Sequence, residues 1–433
     1  MKNTLSILLI FLSISAFSQN KKENPLSDKI SYNIYGFMRC ESYYDSYKGV
    51  NASMDNYYLF PLYKGFDATG EQINQQGDVN STAMATRIGL IMKGSEVLNA
   101  KTSATIETDF SGISSAYAGE LRLRKAFIKL DWENSSLLFG QTWHPFYNGH
   151  SNFYPKVGGL NTGSPFNPFN RSPQIDFNYR YGKLSASATA LYENQYCSKG
   201  FYTGSNYSAN MAKRNAAIPE IVLGLNYNSE KITAGIAGQF NVIKPIDITD
   251  KNYSTDELNT SFASMAFLGY NSGKLYILAK GIIGENMANM TIIGGYGVKD
   301  YNENTGKMTY TNYTSYSTFF NVVYGEKIQL GLFAGISGNM GTNDALYEFN
   351  NYNSTLLTVT DNACTIGLMP NMENVYRVSP HVTYKNKNIN FIAEYEMTAA
   401  NYGTGNFDFK DGLYDSTVKA INHRLALTVM FLF

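Results

Sequence analysis

Between residues 231 and 242 the chain alternates: Ile232, Ala234, Ile236, Phe240 and Val242 take one parity, and Lys231, Thr233, Gln239 and Asn241 the other. Side chains on a strand leave alternately to its two faces, so this segment predicts a strand between two different solvents. The same split recurs in 174–181, with Ile175, Phe177, Tyr179 and Tyr181 against Gln174, Asp176, Asn178 and Arg180. It appears again in 327–337 and in 387–397, where Ile389, Phe391, Ala393, Tyr395 and Met397 oppose Asn390, Glu394 and Glu396. In the last stretch, Leu425, Leu427, Val429, Phe431 and Phe433 share a face while Arg424, Ala426 and Thr428 lie on the other. A terminal strand this apolar invites aggregation as a bare edge in water, so it must be paired on both sides. If its outward face meets lipid, the backbone has to close into a cylinder, because hydrocarbon satisfies no free N–H or C=O.

The connections sort by length along the chain. Short polar turns fall at 94–99, 133–135, 181–183, 228–231, 271–274, 325–327 and 385–387, and between them come long segments at 45–82, 111–119, 144–172, 197–216, 244–258, 286–312, 338–371 and 400–419. This alternation predicts an all-β fold, a transmembrane antiparallel β-barrel of about sixteen strands with short periplasmic turns and long extracellular loops. A barrel of that size leaves an aqueous bore, where eight strands would be filled by side chains.

Composition agrees. Among 433 residues there are 34 Tyr and 26 Phe but only 16% charged residues, which suits interfacial aromatic belts. Lysine plus arginine equal aspartate plus glutamate at 35 each, so nothing in the balance asks for a nucleic acid. Lys2, the apolar run 5–17 and a small-residue exit read as a cleaved signal peptide over residues 1–18. Small residues followed by Gln19 resemble the processing site common in Bacteroidetes exports. Residues 19–29 then form a periplasmic linker and 30–433 the barrel. Cys40, Cys197 and Cys364 are too scattered for a disulfide framework or a metal knuckle; Cys40 reads as a small filler in a strand, and Cys197 and Cys364, both on the outer side, could pair.

The third long segment, HPFYNGHSNFYPKVGGLNTGSPFNPFNRS, is dense in Pro, Gly, Asn and aromatics, as an ordered, turn-rich loop requires. Together with LRLRKAFIKLDW at 121–132, LLFGQTWHPF at 137–146 and NTGSPFNPFNRSPQIDF at 161–177, it resembles the DcaP-like family of trimeric outer-membrane porins. The resemblance implies a third loop folded into the lumen, a homotrimer built through the barrel walls, and passage of small anions such as dicarboxylates. The C-terminal strand ending at Phe433 also resembles the signal read by the barrel assembly machinery.

Candidate constriction residues follow from charge on lumen-facing positions: Arg39, Arg87, Lys101, Arg122, Arg124, Lys125, Lys129, Arg171, Arg180 and Arg377, with Glu107 and Asp109 as carboxylates opposing them across the bore. Arg180 is assigned most cleanly to the polar face. In 121–132, Arg122 and Arg124 share parity with Ile128 and Leu130, and Lys125 and Lys129 share it with Leu121 and Phe127, so not all four cations can face the lumen without a bulge. The bland alternative is ordinary lumen charge in water with no tuned selectivity. Tyr57, Tyr58, Phe60, Tyr63 and Phe66 in the first loop pack over the barrel mouth or against a neighbour, or offer a sugar-stacking platform.

Catalysis is not expected. His144 and His150 flank Ser151, but no further group marks a hydrolase; His381 and His423 are lone strand residues; and no metal spacing or phosphate cradle, hence no cofactor, is present. The function read from the sequence is passive diffusion of small hydrophilic solutes across outer-membrane lipid. The alternatives are a substrate-specific carbohydrate or peptide channel, a surface adhesin and an outer-membrane hydrolase.

Overall fold

The computed structural model describes residues 30–52, 57–112, 114–159, 163–201, 209–350 and 360–433. The expected signal peptide and linker lie outside these residues, as do 160–162 of the third loop. Sixteen strands form one ring: β1 Ser31–Asp45, β2 Asp78–Thr82 continued by Arg87–Lys93, β3 Lys101–Asp109, β4 Arg122–Asp131, β5 Ser135–Trp143, β6 Arg171–Tyr181, β7 Leu184–Leu191, β8 Glu220–Asn228, β9 Ile232–Ile243, β10 Asn259–Asn271, β11 Leu275–Glu285, β12 Met308–Gly325, β13 Ile328–Thr342, β14 Met372–Asn386, β15 Ile389–Asp408 and β16 Leu413–Leu432. Every strand pairs antiparallel with its neighbours in sequence, and β1 closes the ring on β16, from Phe37 opposite Leu432 to Asp45 opposite Arg424. No edge is left, which is the condition hydrocarbon imposes on a sheet.

The alternation is physical. Leu223, Leu225, Ile236, Leu268, Leu330, Leu425 and Leu427 are exposed on the outer wall, whereas their neighbours Asn226, Gln239, Thr383 and Arg424 are buried inside. All seven expected short connections join consecutive strands at one end of the barrel. The last expected loop, 400–419, is corrected: β15 and β16 stay paired out to Asp408 opposite Leu413, and the turn is only a few residues long. Beyond the lipid both faces of a hairpin meet water, so Asn401, Asp415, Ser416 and Thr417 break the apolar alternation without breaking the backbone ladder.

The inside is not uniformly polar. Along β10–β13 the lumen face carries Met265, Phe267, Tyr276, Leu278, Ile282, Phe319, Val323 and Phe333, all buried. They are covered by the third loop, whose Phe146 and Phe166 have no exposed surface. Phe166 lies 5.9 Å from Phe333 between ring centroids, and a Cβ on Gly335 would come within 2.6 Å of its ring. The loop therefore enters the bore and seats on this apolar half-wall, leaving the charged half-wall of β14–β16 and β1–β6 to face the remaining space.

The three cysteines are free: Cys197 and Cys364 do not pair, and Cys40 is exposed on its strand. The first loop, including a hairpin of Gly49–Ala52 with Tyr57–Pro61, also turns inward. Tyr57, Tyr58 and Phe60 are buried in the mouth, whereas Tyr63 and Phe66 stay exposed.

Because Leu225 is 58% exposed on the outer face of β8, Leu225→Arg should lower unfolding stability in lipid vesicles by about 2–4 kcal/mol if the site lies near the bilayer centre. Asn226→Arg, one residue away, should not produce that lipid penalty.

Candidate pore constriction

Facing the third loop, β2, β3 and β4 bring six charged side chains onto one wall. Glu107 takes Arg124 Nε at 2.9 Å, Lys125 Nζ at 3.2 Å and Arg87 Nε at 3.7 Å. Asp109 takes Arg122 Nη2 at 2.7 Å and Arg124 Nη1 at 2.8 Å. Sequence parity cannot put Arg122, Arg124 and Lys125 on one face. The backbone solves this with a bulge: Glu107 sits opposite Lys125 and Thr108 opposite Leu123, so Arg124 is the extra residue. Phase then inverts along β4, and Lys125, Phe127 and Lys129 face the same cavity, of about 580 Å³, beneath the third loop.

Arg171, the first residue of β6, sits beside this group. Its guanidinium lies 4.9 Å from the Trp143 ring and 5.7 Å from Phe169, and Arg124 lies 5.7 Å from the same Trp143. Tyr147 of the third loop stacks on Trp143 at 3.9 Å.

The carboxylates correct one expectation. Glu107 and Asp109 do not oppose the cations across the bore; they are bonded to them from the adjacent strand. The other candidates lie outside this cluster, with Lys129 and Arg180 lining the turn end of the same cavity. Lys129 and Arg180 meet at Asp131, 3.4 and 3.1 Å away, at the short-turn end, where Arg180 also donates to Trp132 O at 2.9 Å. Lys101 is exposed at that same end, opposite Asp131 in register. Arg39 and Arg377 occupy the far arc and hold loops. Arg39 donates to Gly158 O at 2.7 Å and pairs with Glu41 at 3.0 Å. Arg377 donates to Ser164 O at 2.7 Å and to Leu59 O at 2.8 Å, and pairs with Glu396 at 3.2 Å.

Several contributors were missed from the sequence. Arg424 grips Asp45 with two bonds of 2.8 and 2.7 Å, and Glu394 accepts the backbone N–H groups of Gly158 and Gly159. Both lie at polar-parity positions, so parity was the available signal. Lys280 had a weaker one, a single cation in an apolar segment. It is buried and donates to Phe146 O, to Tyr147 O at 2.9 Å and to Asn167 Oδ1 at 2.8 Å, clamping the short helix Pro145–Asn148 that opens the loop. Asn321 donates to Lys156 O at 3.0 Å and accepts its N–H at 2.7 Å.

His144 is occupied structurally: its Nε2 contacts Glu220 at 2.6 Å and its Nδ1 accepts the Phe146 N–H at 3.0 Å. Ser151 Oγ donates to Asn148 O at 2.5 Å, and His150 faces Asp176 at 3.5 Å. Among the described residues no group of three or more His, Cys, Asp or Glu side chains is arranged to hold a metal ion. Next to His144, the fourth loop brings in Glu193, which accepts Asn241 Nδ2 and Ser198 N, both at 2.7 Å; Lys213 donates to Asn241 Oδ1 at 2.6 Å. Burial, and then the charge of Glu220, push the Glu193 carboxyl up to about 7.

Two outcomes follow. Lys280→Met should release the loop and raise single-channel conductance and open-state noise, while outer-membrane assembly persists. Because the folded-state value of Glu193 exceeds the unfolded one, its contribution to stability is complete below about pH 4.5 and is lost as pH rises through about 7. Thermal unfolding should therefore fall between pH 5 and pH 8, and Glu193→Gln should flatten that interval.

No protein-family model matches the sequence, and no curated protein sequence matches it. Solved structures do match. The outer-membrane channel DcaP of Acinetobacter baumannii aligns with 18% identity over 94% of this chain and 98% of its own, with a TM-score of 0.64. The anion-selective porin from Comamonas acidovorans aligns with 9% identity over 94% and 100%, at 0.52. OmpT of Vibrio cholerae, outer-membrane expressed, aligns with 12% identity over 94% and 98%, at 0.51. At these identities the likeness establishes architecture, and the resemblance read from the sequence holds at that level: the chain has the sixteen-stranded fold of the outer-membrane porins, with DcaP among its structural neighbours.

Proposed function

We propose that this protein is an outer-membrane porin for passive diffusion of small hydrophilic solutes, favouring small anions. The observation that carries the reading is charge imbalance at the narrowing: among the described residues Arg87, Arg122, Arg124, Lys125 and Arg171 gather around two carboxylates, Glu107 and Asp109. Cations fixed on one wall of a narrow aqueous path lower the barrier for anions and raise it for cations. Arg87, Arg122 and Lys125 keep partial exposure on the side that the third loop leaves open, with Arg124 and Arg171 buried behind them. Likeness to the anion-selective porin from Comamonas acidovorans supports the same direction, and the resemblance to the DcaP-like family read from the sequence implies small carboxylates.

Assembly as a homotrimer, export by a cleaved signal peptide and insertion through the barrel assembly machinery complete the proposal. It is supported by the porin architecture and by the outward Leu425, Leu427, Val429 and Phe431 of β16. In planar bilayers under a potassium chloride gradient, the reversal potential should take the sign of chloride preference. Arg122→Gln combined with Lys125→Gln should reduce that preference severalfold. A cation-selective wild type defeats the anion reading, and sealed membranes defeat the channel reading.

A further inference from the structure

On the outer wall the strands β7–β11 do not present a level surface. Gly238 of β9, Ala266 of β10 and Gly281 of β11 face outward with little or no side chain, and a Cβ on either glycine would meet nothing within 4 Å. Ala266 sits opposite both Ile236 and Gly281, so the low positions run together from strand to strand. Leu223, Leu225, Ile236 and Ile283 stand exposed around them, and the recess holds about 940 Å³. A second recess of about 510 Å³ shares Ala186, Leu225, Ile236 and Ala266 with the first and continues to Tyr181, Leu184 and Tyr227. The two form one apolar trough that ends at the short periplasmic turns.

Charge collects at that end. The short turns from 181–183 to 385–387 hold Lys183, Lys231, Lys274, Lys327, Lys385 and Lys387 against Glu230 and Glu326. Lys183 adjoins Leu184 of the trough and Lys231 immediately precedes β9, and both are exposed. Lysines of this row reach the outer wall: Lys274 Nζ lies 5.1 Å from the ring of the outward Tyr324, and Lys327 Nζ 5.4 Å from that of Tyr384. Tyrosines and long cationic side chains at one height mark the headgroup level of a leaflet. From this geometry we infer that the trough binds an anionic phospholipid of the inner leaflet, with an acyl chain laid over Gly238, Ala266 and Gly281 and its phosphate beside Lys183 and Lys231. Basic groups near a membrane surface attract anionic headgroups, and an apolar floor gains by being covered with a chain. A level wall takes any passing acyl chain, whereas a recess that ends beside fixed cations couples chain to headgroup. Lipopolysaccharide carries its headgroup at the loop end and would leave these lysines unused. The inference rests on the barrel's place in the membrane and not on its anion preference.

Native mass spectrometry of the purified protein in lipid-free detergent micelles, titrated with phosphatidylglycerol or with phosphatidylcholine of the same chains, tests the site. Wild type should retain phosphatidylglycerol saturably, with phosphatidylcholine at least tenfold weaker. Gly238→Leu combined with Gly281→Leu, which fills the trough, should weaken phosphatidylglycerol retention at least tenfold. Lys183→Gln combined with Lys231→Gln should bring it down to the phosphatidylcholine level. Ala104→Leu, on the outer wall of β3, should leave it intact. Equal retention of the two lipids, or unchanged retention with the trough filled, overturns the site. So does preferred retention of lipopolysaccharide, which would put the ligand in the other leaflet. Oligomers that separate when the trough is filled, with lipid retention unchanged, would assign this wall to a second copy and also overturn it. Should the filled variant fail to fold, the lysine pair in its exposed turns still decides. Reversal potentials report separately: cation selectivity would defeat the proposed function and leave this site standing, whereas anion selectivity with no preference for phosphatidylglycerol would defeat only the site.

Discussion

A third loop seated on an apolar half-wall is the contact on which the rest of this pore depends. An empty sixteen-stranded barrel would have a wide, wet bore with water on every inward side chain. Here Phe146 and Phe166 bury completely against a lumen face that carries Phe267, Phe319 and Phe333, and the hydrophobic effect holds the loop inside. Burial gives attraction without direction. Direction comes from hydrogen bonds: Lys280 on the carbonyls of the Pro145–Asn148 helix, Asn321 on both backbone groups of Lys156, and Glu394 on successive N–H groups at Gly158 and Gly159.

Electrostatics follow from that seating. Water excluded from one side of the bore leaves the ion pairs of β2–β4 in a narrow space, where each charge interacts more strongly than in an open channel. Carboxylates bonded to cations on the next strand fix the positions of those cations and weaken the field that the wall presents. What remains is a surplus of positive charge on β4 and β6. The bulge at Arg124 is the local device that makes it, because it lets Arg122, Arg124 and Lys125 all turn inward where a regular strand would send Lys125 to lipid.

Much of this was readable from the order of residues. Parity assigned the faces of β6, β9, β15 and β16, and the length of connections gave the strand count and the common side of the turns. The conflict within 121–132 pointed to a bulge, although not to which residue would be extra. Four features escaped for physical reasons. Apolar lumen residues on β10–β13 look like lipid-facing ones, since parity reports two faces and not which solvent each meets. The β15–β16 hairpin leaves the membrane still paired, and pattern vanishes there because water lies on both sides. Glu107 and Asp109 share a face with Lys101, but the neighbouring strand, invisible to local pattern, is what binds them. Arg180, the best placed by parity, is lumen-facing yet far from the narrowing, because parity carries no height along the barrel axis.

Arg377 offers two nitrogens of one guanidinium to two different loops, Leu59 O in the first and Ser164 O in the third. Tyr58 of the same first loop lies 5.4 Å from it. A rigid planar fork cannot follow two partners that drift apart, so lid and throat are geared together: any solute that shoulders the outer hairpin aside also pulls on the inner passage.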